Sequence, residues 1–213
     1  MAVINQGILG GFSGKVGTVI GGSWKGIDYM RSKPISVANP RTPAQVDQRT
    51  KFVTVLNFLQ PLTSILRTGF KDYAVKMSAF NAAMSYTIQN AISGIYPEYG
   101  ITYADALVSR GSLTGALNPS VLVTTPGLID FSWVDNSGTG TALATDKAML
   151  VIYNSAKKQA VTINGGNTRA SGSQEVMVPT TFTGDELNCY IAFQNENQSE
   201  VSNSTYLGEV VAL

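Results

Sequence analysis

Apolar and polar positions along this chain follow a helical rhythm in one stretch and a two-residue rhythm in another, and the change between them divides the sequence. Phe52, Val55, Leu56, Leu59 and Leu62 recur at the three-and-four spacing of one helical face, with Gln48, Arg49 and Lys51 lying elsewhere. Thr42 fits as the N-cap, Pro43 as the first helical residue and Gln45 as the capping-box partner, because side chains there satisfy N–H groups that a first turn leaves orphaned. Pro61 is expected to bend or divide this helix, having no N–H to donate. A second helix is predicted over about 78–93, with Ser78 as cap, a stripe of Phe80, Met84, Thr87, Ile88 and Ala91, and a stop at Gly94. Together they read as a hairpin packed on itself or on the domain that follows. The segment GIYPEYGITYADALVS at 94–109 reads as a packed connection.

From Gly111 the rhythm shortens to two. Ile129, Phe131 and Trp133 alternate with Asp130 and Ser132, as a half-buried strand requires. AMLVIY at 148–153 is a continuous apolar run that suits a buried strand. QEVMVP, LNCYIAF at 187–193 and the final STYLGEVVAL add more, with NGGN and SGS as turns. Six or seven strands in about 100 residues predict a two-sheet sandwich.

The first 34 residues fit neither rhythm. Eight glycines fall between Gly7 and Gly26, yet Val16, Val19, Ile20, Trp24, Ile27, Tyr29 and Met30 are too apolar for a solvated linker. This segment is expected to be a strand-forming arm that contacts other copies of the chain, through Val16, Val19, Ile20, Trp24, Lys25, Tyr29 and Arg31. The expected architecture is therefore α+β: an extended, basic, Gly-rich β arm at 1–41, a helical hairpin and connection at 42–109, and an immunoglobulin-like β-sandwich at 110–213.

Charge sharpens the picture of the arm. Net charge is +1, but residues 1–76 hold ten Lys/Arg against three acids, while residues 77–213 hold five against eleven. Such a division suits a basic arm on nucleic acid or head-to-tail attraction between copies. Aromatic and cationic side chains do bind single strands, but the rest of the chain is acidic and no nucleic-acid module is legible, so self-association is the stronger reading. Charged residues make up 14% of the chain against roughly 25% in ordinary soluble domains, which suits an assembling surface. No apolar run reaches the roughly 18 residues of a membrane span, so no membrane insertion is expected. Residues 1–12 lack the basic start of an export signal, so synthesis in the cytoplasm is expected.

Candidate chemistry is sparse. The chain has no histidine, which removes Ser/His/Asp and Cys/His constellations, and its single Cys189 lies in an apolar alternation that predicts an inert core thiol. GILGGFSGKVGT resembles a phosphate loop superficially, but Val16 stands where Ser or Thr must follow the lysine. Asp185–Glu186 and the pair Asp130 and Asp135 read as solvated acids at turns and strand faces. DNSGTGTALATD at 135–146 lacks the acidic spacing of a calcium loop. No catalytic, cofactor-binding or metal residue is assigned, and no enzyme is expected.

Two resemblances bear on role. GLIDFSWVDN and LNCYIAFQNENQSEVSNSTYLGEV resemble the core-tryptophan strand and last hairpin of a fibronectin type III or immunoglobulin-like domain, which implies that Trp133, Cys189 and Ile191 point inward. That fold's usual tyrosine position holds Leu187 or Cys189 here. GKVGTVIGGSWKGIDYMRSKP followed by NPRTPAQVDQRTKF resembles the start of an uncharacterised family of small proteins from Bacteroidota and their phages. That resemblance carries no known activity and implies a phage virion component or a structural protein of phage-derived origin; the expected role is a capsid-associated, tail or fibre subunit, with copies of itself and other virion proteins as partners and the virion, or else the bacterial cytoplasm, as its location. The competing expectation is a sandwich that binds a glycan or protein through Tyr153, Tyr190, Tyr206 and the loop 194–203.

Overall fold

Glycine and β-branched residues set the N-terminal structure. The computed structural model describes residues 3–4, 11–24, 27–36 and 41–213, and its contacts divide the chain at Thr42/Pro43 into two units. In the first unit, β1 (Val3–Ile4), β2 (Phe12–Val16), β3 (Val19–Trp24) and β4 (Ile27–Ser32) pair antiparallel in chain order. Val16 faces Val19 across a two-residue turn in which Gly17 adopts φ +55°, a conformation that a Cβ would strain. At Gly21 the constraint is space: a Cβ there would lie 2.1 Å from the Phe12 carbonyl oxygen and 2.7 Å from the Phe12 ring.

In the second unit, helix α1 (Pro43–Leu59) begins at the predicted proline and ends before Pro61, which lies in a 3-10 turn at Gln60–Leu62 leading into α2 (Thr63–Gly69). Pro61 divides the helix because it cannot donate to the preceding turn. Helix α3 (Ala79–Asn90) starts where Ser78 Oγ accepts the Asn81 N–H at 3.2 Å. The segment therefore holds three helices where a two-helix hairpin was expected. Its buried stripe runs through Val55, Phe58, Leu59 and Leu62, so Phe58 takes the core place expected of Phe52, which is 48% exposed. Helix α3 ends at Asn90, short of the expected 93, and Ile92 and Ser93 join residues expected as a connection in a hairpin, β5 (Ile92–Ile95) with β6 (Glu98–Ile101).

Seven strands follow: β7 (Leu117–Thr125), β8 (Leu128–Val134), β9 (Lys147–Asn154), β10 (Gln159–Thr168), β11 (Ser173–Met177), β12 (Glu186–Gln194) and β13 (Thr205–Val211). They make a three-stranded sheet in the order β11-β8-β7 and a four-stranded sheet in the order β10-β9-β12-β13. Phe131 and Trp133 from the first sheet meet Leu150, Ile152, Cys189, Ile191 and Phe193 from the second in one core. The arrangement is an immunoglobulin-like sandwich, and Trp133 stands edge-on to Phe193 with centroids 5.6 Å apart. Cys189 and Ile191 point inward as expected.

The continuous apolar runs of β9 and β12 have a specific cause: both faces of these strands are covered. Leu150 and Ile152 face the other sheet, while Met149, Val151, Tyr153, Tyr190 and Ala192 pack with Phe58, Leu62, Leu66 and Met84 of the helical segment. Phe58 meets Tyr153 edge-on at 5.0 Å, and Tyr190 Oη donates to the Tyr103 carbonyl at 2.8 Å. Helices, four-stranded sheet and three-stranded sheet thus form three layers of one unit.

Candidate assembly surface

Cross-strand register assigns each side chain of the N-terminal sheet to a face, because directly opposed residues of antiparallel strands share one. Lys15, Ile20 and Arg31 form one row; Gly22 and Tyr29 form the next; Trp24 and Ile27 form the third, all on the same face. Val16, Val19 and Ser32 lie on the opposite face, with Gly21, Met30 and Asp28. The expected contact residues therefore separate. Ile20, Trp24, Tyr29 and Arg31 stand together, Val16 and Val19 look the other way, and Lys25 lies outside the described residues.

The aromatic face carries both described cations of these strands, Lys15 and Arg31, whereas the acid, Asp28, is on the other face. Trp24 is 64% exposed and Ile27 is 68% exposed, with Tyr29 also exposed. On the second face Met30 is 70% exposed and Val16 is exposed too. Within residues 11–36, among those described, Gly21 alone is buried. Among the described residues these strands enclose no core, and β4 stands at one edge of the sheet.

The sandwich offers the second broad surface. Side chains alternate along β8, so Ile129, Phe131 and Trp133 enter the core while Leu128, Asp130, Ser132 and Val134 face out. Register adds Glu175 opposite Asp130 and Met177 opposite Leu128 on one side, and Leu122 opposite Asp130 and Ser120 opposite Ser132 on the other. Thr124 Oγ1 donates to Asp130 at 2.7 Å. A groove of about 530 Å³ lies between α1 and α3, lined by Phe52, Asn81, Met84, Ser85, Ile88 and Gln89.

Groups considered for chemistry have structural partners. Cys189 is fully buried, and burial pushes its thiol up to about 12. Asp185, expected to be solvated, accepts from Lys157 and from Asn154, and the Lys157 hydrogen bond holds its carboxyl below the ordinary range. Asp135 closes a turn by accepting the Ser137 N–H at 2.9 Å. Tyr153 and Tyr190, expected as binding contacts, are interior instead, at 3% and 0% exposure, because the helical segment covers their sheet. In the loop 194–203, Asn195 Oδ1 is occupied by the Ser199 and Glu200 N–H groups. Among the described residues, no cluster of acids and cysteine could hold a metal ion, and no helix is long and apolar enough to cross a membrane.

Fold and surfaces define a helix-covered β-sandwich protein that also carries, as a second unit, an antiparallel sheet of glycine and exposed aromatic residues. The chain belongs to DUF6266, a family of unknown function, whose model matches residues 11–208. No curated protein matches the chain. Among solved structures, the fn3 domain of the human collagen alpha-1(XX) chain aligns over 49% of this chain and 91% of its own, at 11% identity and a TM-score of 0.36.

Proposed function

We propose that this chain is a non-enzymatic, self-assembling structural protein whose N-terminal arm makes contacts between copies, and that the assembly belongs to a bacteriophage virion as a capsid-associated, tail or fibre component. The observation that carries the reading is the exposure of Trp24, Ile27, Tyr29 and Met30 on a paired sheet in which, among the described residues of 11–36, Gly21 alone is buried. Sheets of a few strands draw stability from covering an apolar face, and covering each large apolar side chain contributes about 1.5–3 kcal/mol. Among the described residues β4 is an edge strand of this sheet, and an edge strand presents N–H and C=O groups that can template a further strand. Low charge and the basic-to-acidic division favour head-to-tail contacts, which close into rings or extend as fibres.

Deleting residues 1–34 tests this reading. The remainder, which has two apolar cores of its own, is expected to stay folded by circular dichroism and to lose assembly in sizing and electron microscopy. Normal assembly of the truncated chain would refute the role of the arm. The virion part has its own check, mass spectrometry of purified phage particles, and absence of the chain from them would remove that part alone.

A further inference from the structure

We infer that the aromatic, cationic face of the N-terminal sheet of one copy stacks on the outer face of the β11-β8-β7 sheet of a second copy. This inference rests on the proposed assembly role and names the surface that receives the arm. The two faces are complementary in charge and in apolar content.

The receiving face is acidic without relief. Asp130 and Glu175 are directly opposed on adjacent strands, which places their Cβ atoms roughly 5 Å apart, and like charges so opposed are unfavourable in an isolated sheet. The sequences of β7, β8 and β11 contain no Lys or Arg. Around the acids lie exposed apolar groups: Leu122 at 61%, Met177 at 77% and Val134 at 48%. Hydroxyls of Ser120 and Ser132, 2.7 Å apart, complete the face.

The donating face has the opposite sign. Lys15 and Arg31 share a row with Ile20 between them, so their strands are separated by about 10 Å, within reach of long side chains converging on one acidic pair. Asp28 points to the other face and does not neutralise them. Trp24, Ile27 and Tyr29 extend beyond that row as the apolar part of the contact. Sheets stack face to face at about 10 Å, a spacing filled by side chains from both. Cations from one copy then offset the Asp130/Glu175 repulsion in the other, and Leu122 and Met177 cover the aromatic rows. Each copy keeps a donor face and an acceptor face, so the contact joins two different surfaces, which close reciprocally in a dimer or repeat along a ring or fibre.

The test uses full-length chains, with dissociation constants from sedimentation at low salt and fold checked by circular dichroism. Glu175→Lys is the variant least coupled to the fold, since Asp130 also holds Thr124; the pair Asp130→Lys/Glu175→Lys is the stronger version. Each is expected to weaken self-association more than about tenfold, as is Lys15→Glu/Arg31→Glu, and an equimolar mixture of the two double variants is expected to associate again. Wild-type association by Glu175→Lys and by the acidic-face double variant, with association lost in Trp24→Ser/Tyr29→Ser, would overturn this docking face and leave the arm's role standing. Unchanged association in all of these variants, or a wild-type chain that is monomeric at every concentration, would overturn both.

Discussion

Replacing Arg169 with methionine removes the charged centre of the sandwich's loop end. Arg169 is fully buried in the 3-10 turn after β10. Its Nε donates to Asp146 Oδ2 at 3.1 Å, and Nη2 reaches the same oxygen at 3.1 Å. Nη1 donates to Asn136 Oδ1 at 2.7 Å and the Gly115 carbonyl at 2.9 Å, while Nη2 donates to the Thr114 carbonyl at 2.8 Å. The guanidinium also lies 3.9 Å from the Phe193 ring centroid, and the Arg169 carbonyl accepts the Trp133 indole N–H at 2.8 Å. Burial lowers the Arg169 pKa, and the Asp146 charge opposes that shift. Methionine fills much of the same space but leaves Asp146 buried with the Leu143 N–H as its remaining donor to Oδ2. Breaking a buried pair from one side costs about 3–5 kcal/mol. At about 2–4 °C per kcal/mol for a chain of this size, the melting temperature is expected to fall by roughly 6–20 °C. Asp146→Leu/Arg169→Met removes both charges, so its loss should fall short of the sum of the single losses by more than about 1 kcal/mol. Urea unfolding followed by far-UV circular dichroism measures all of these variants. A loss below about 1 kcal/mol in the single variant, or strict additivity in the double, would refute the network as the brace of these loops.

Gly21→Val separates the two units experimentally: its Cβ meets the Phe12 backbone and ring, so pairing of β2 with β3 is expected to fail and self-association with it. The melting transition of residues 43–213 should stay in place by calorimetry, and a Gly21→Val chain that assembles normally contradicts the role assigned to the sheet. High pH probes both cores: burial pushes Tyr153 up to about 12 and raises Tyr190 in the helix-covered layer, and pushes Cys189 up to about 12 between the two sheets. The folded chain keeps protons that the unfolded chain releases near pH 8.5 for the thiol and near pH 10 for the phenols. Stability is therefore level below these values, declines above about pH 9 and falls more steeply between about 10 and 12. Thermal melts from pH 8 to 11.5 should show that decline, and a constant melting temperature would contradict the burial of these groups.

Local signals carried the element types well and the layers poorly. Pro43, Pro61 and Ser78 act through the backbone, so their effects on helix boundaries were legible from the residues alone. The alternation of Ile129, Phe131 and Trp133 likewise marks a strand with one covered face. The continuous runs at 148–153 and 187–193 indicate buried strands, but they do not say what covers the second face. Phe58 shows the difficulty: it was absent from the expected stripe because the bend at Pro61 and the contact with Tyr153 decide which side of α1 is interior. Tyr153 and Tyr190 look like binding residues for the same reason, since a tyrosine on a strand carries no local sign of a helix above it. On the arm, residue types suggested contact, whereas the division of Val16 and Val19 from Ile20, Trp24, Tyr29 and Arg31 required the register.

Covering one sheet of the sandwich has a consequence for assembly. An immunoglobulin-like domain standing alone has two outer sheet faces, and a flat partner could stack on either. Here α1, α2 and α3 pack with the outer side chains of β9 and β12, so Tyr153, Tyr190 and Ala192 are withdrawn from recognition. The outer face of β11-β8-β7 stays open, and it bears the opposed acids Asp130 and Glu175 among Leu122, Met177 and Val134. On the proposed docking, the sandwich offers the arm one open sheet face per copy, so repeated contacts would share one geometry. That condition is what a heterologous interface needs to build a ring or fibre of regular pitch.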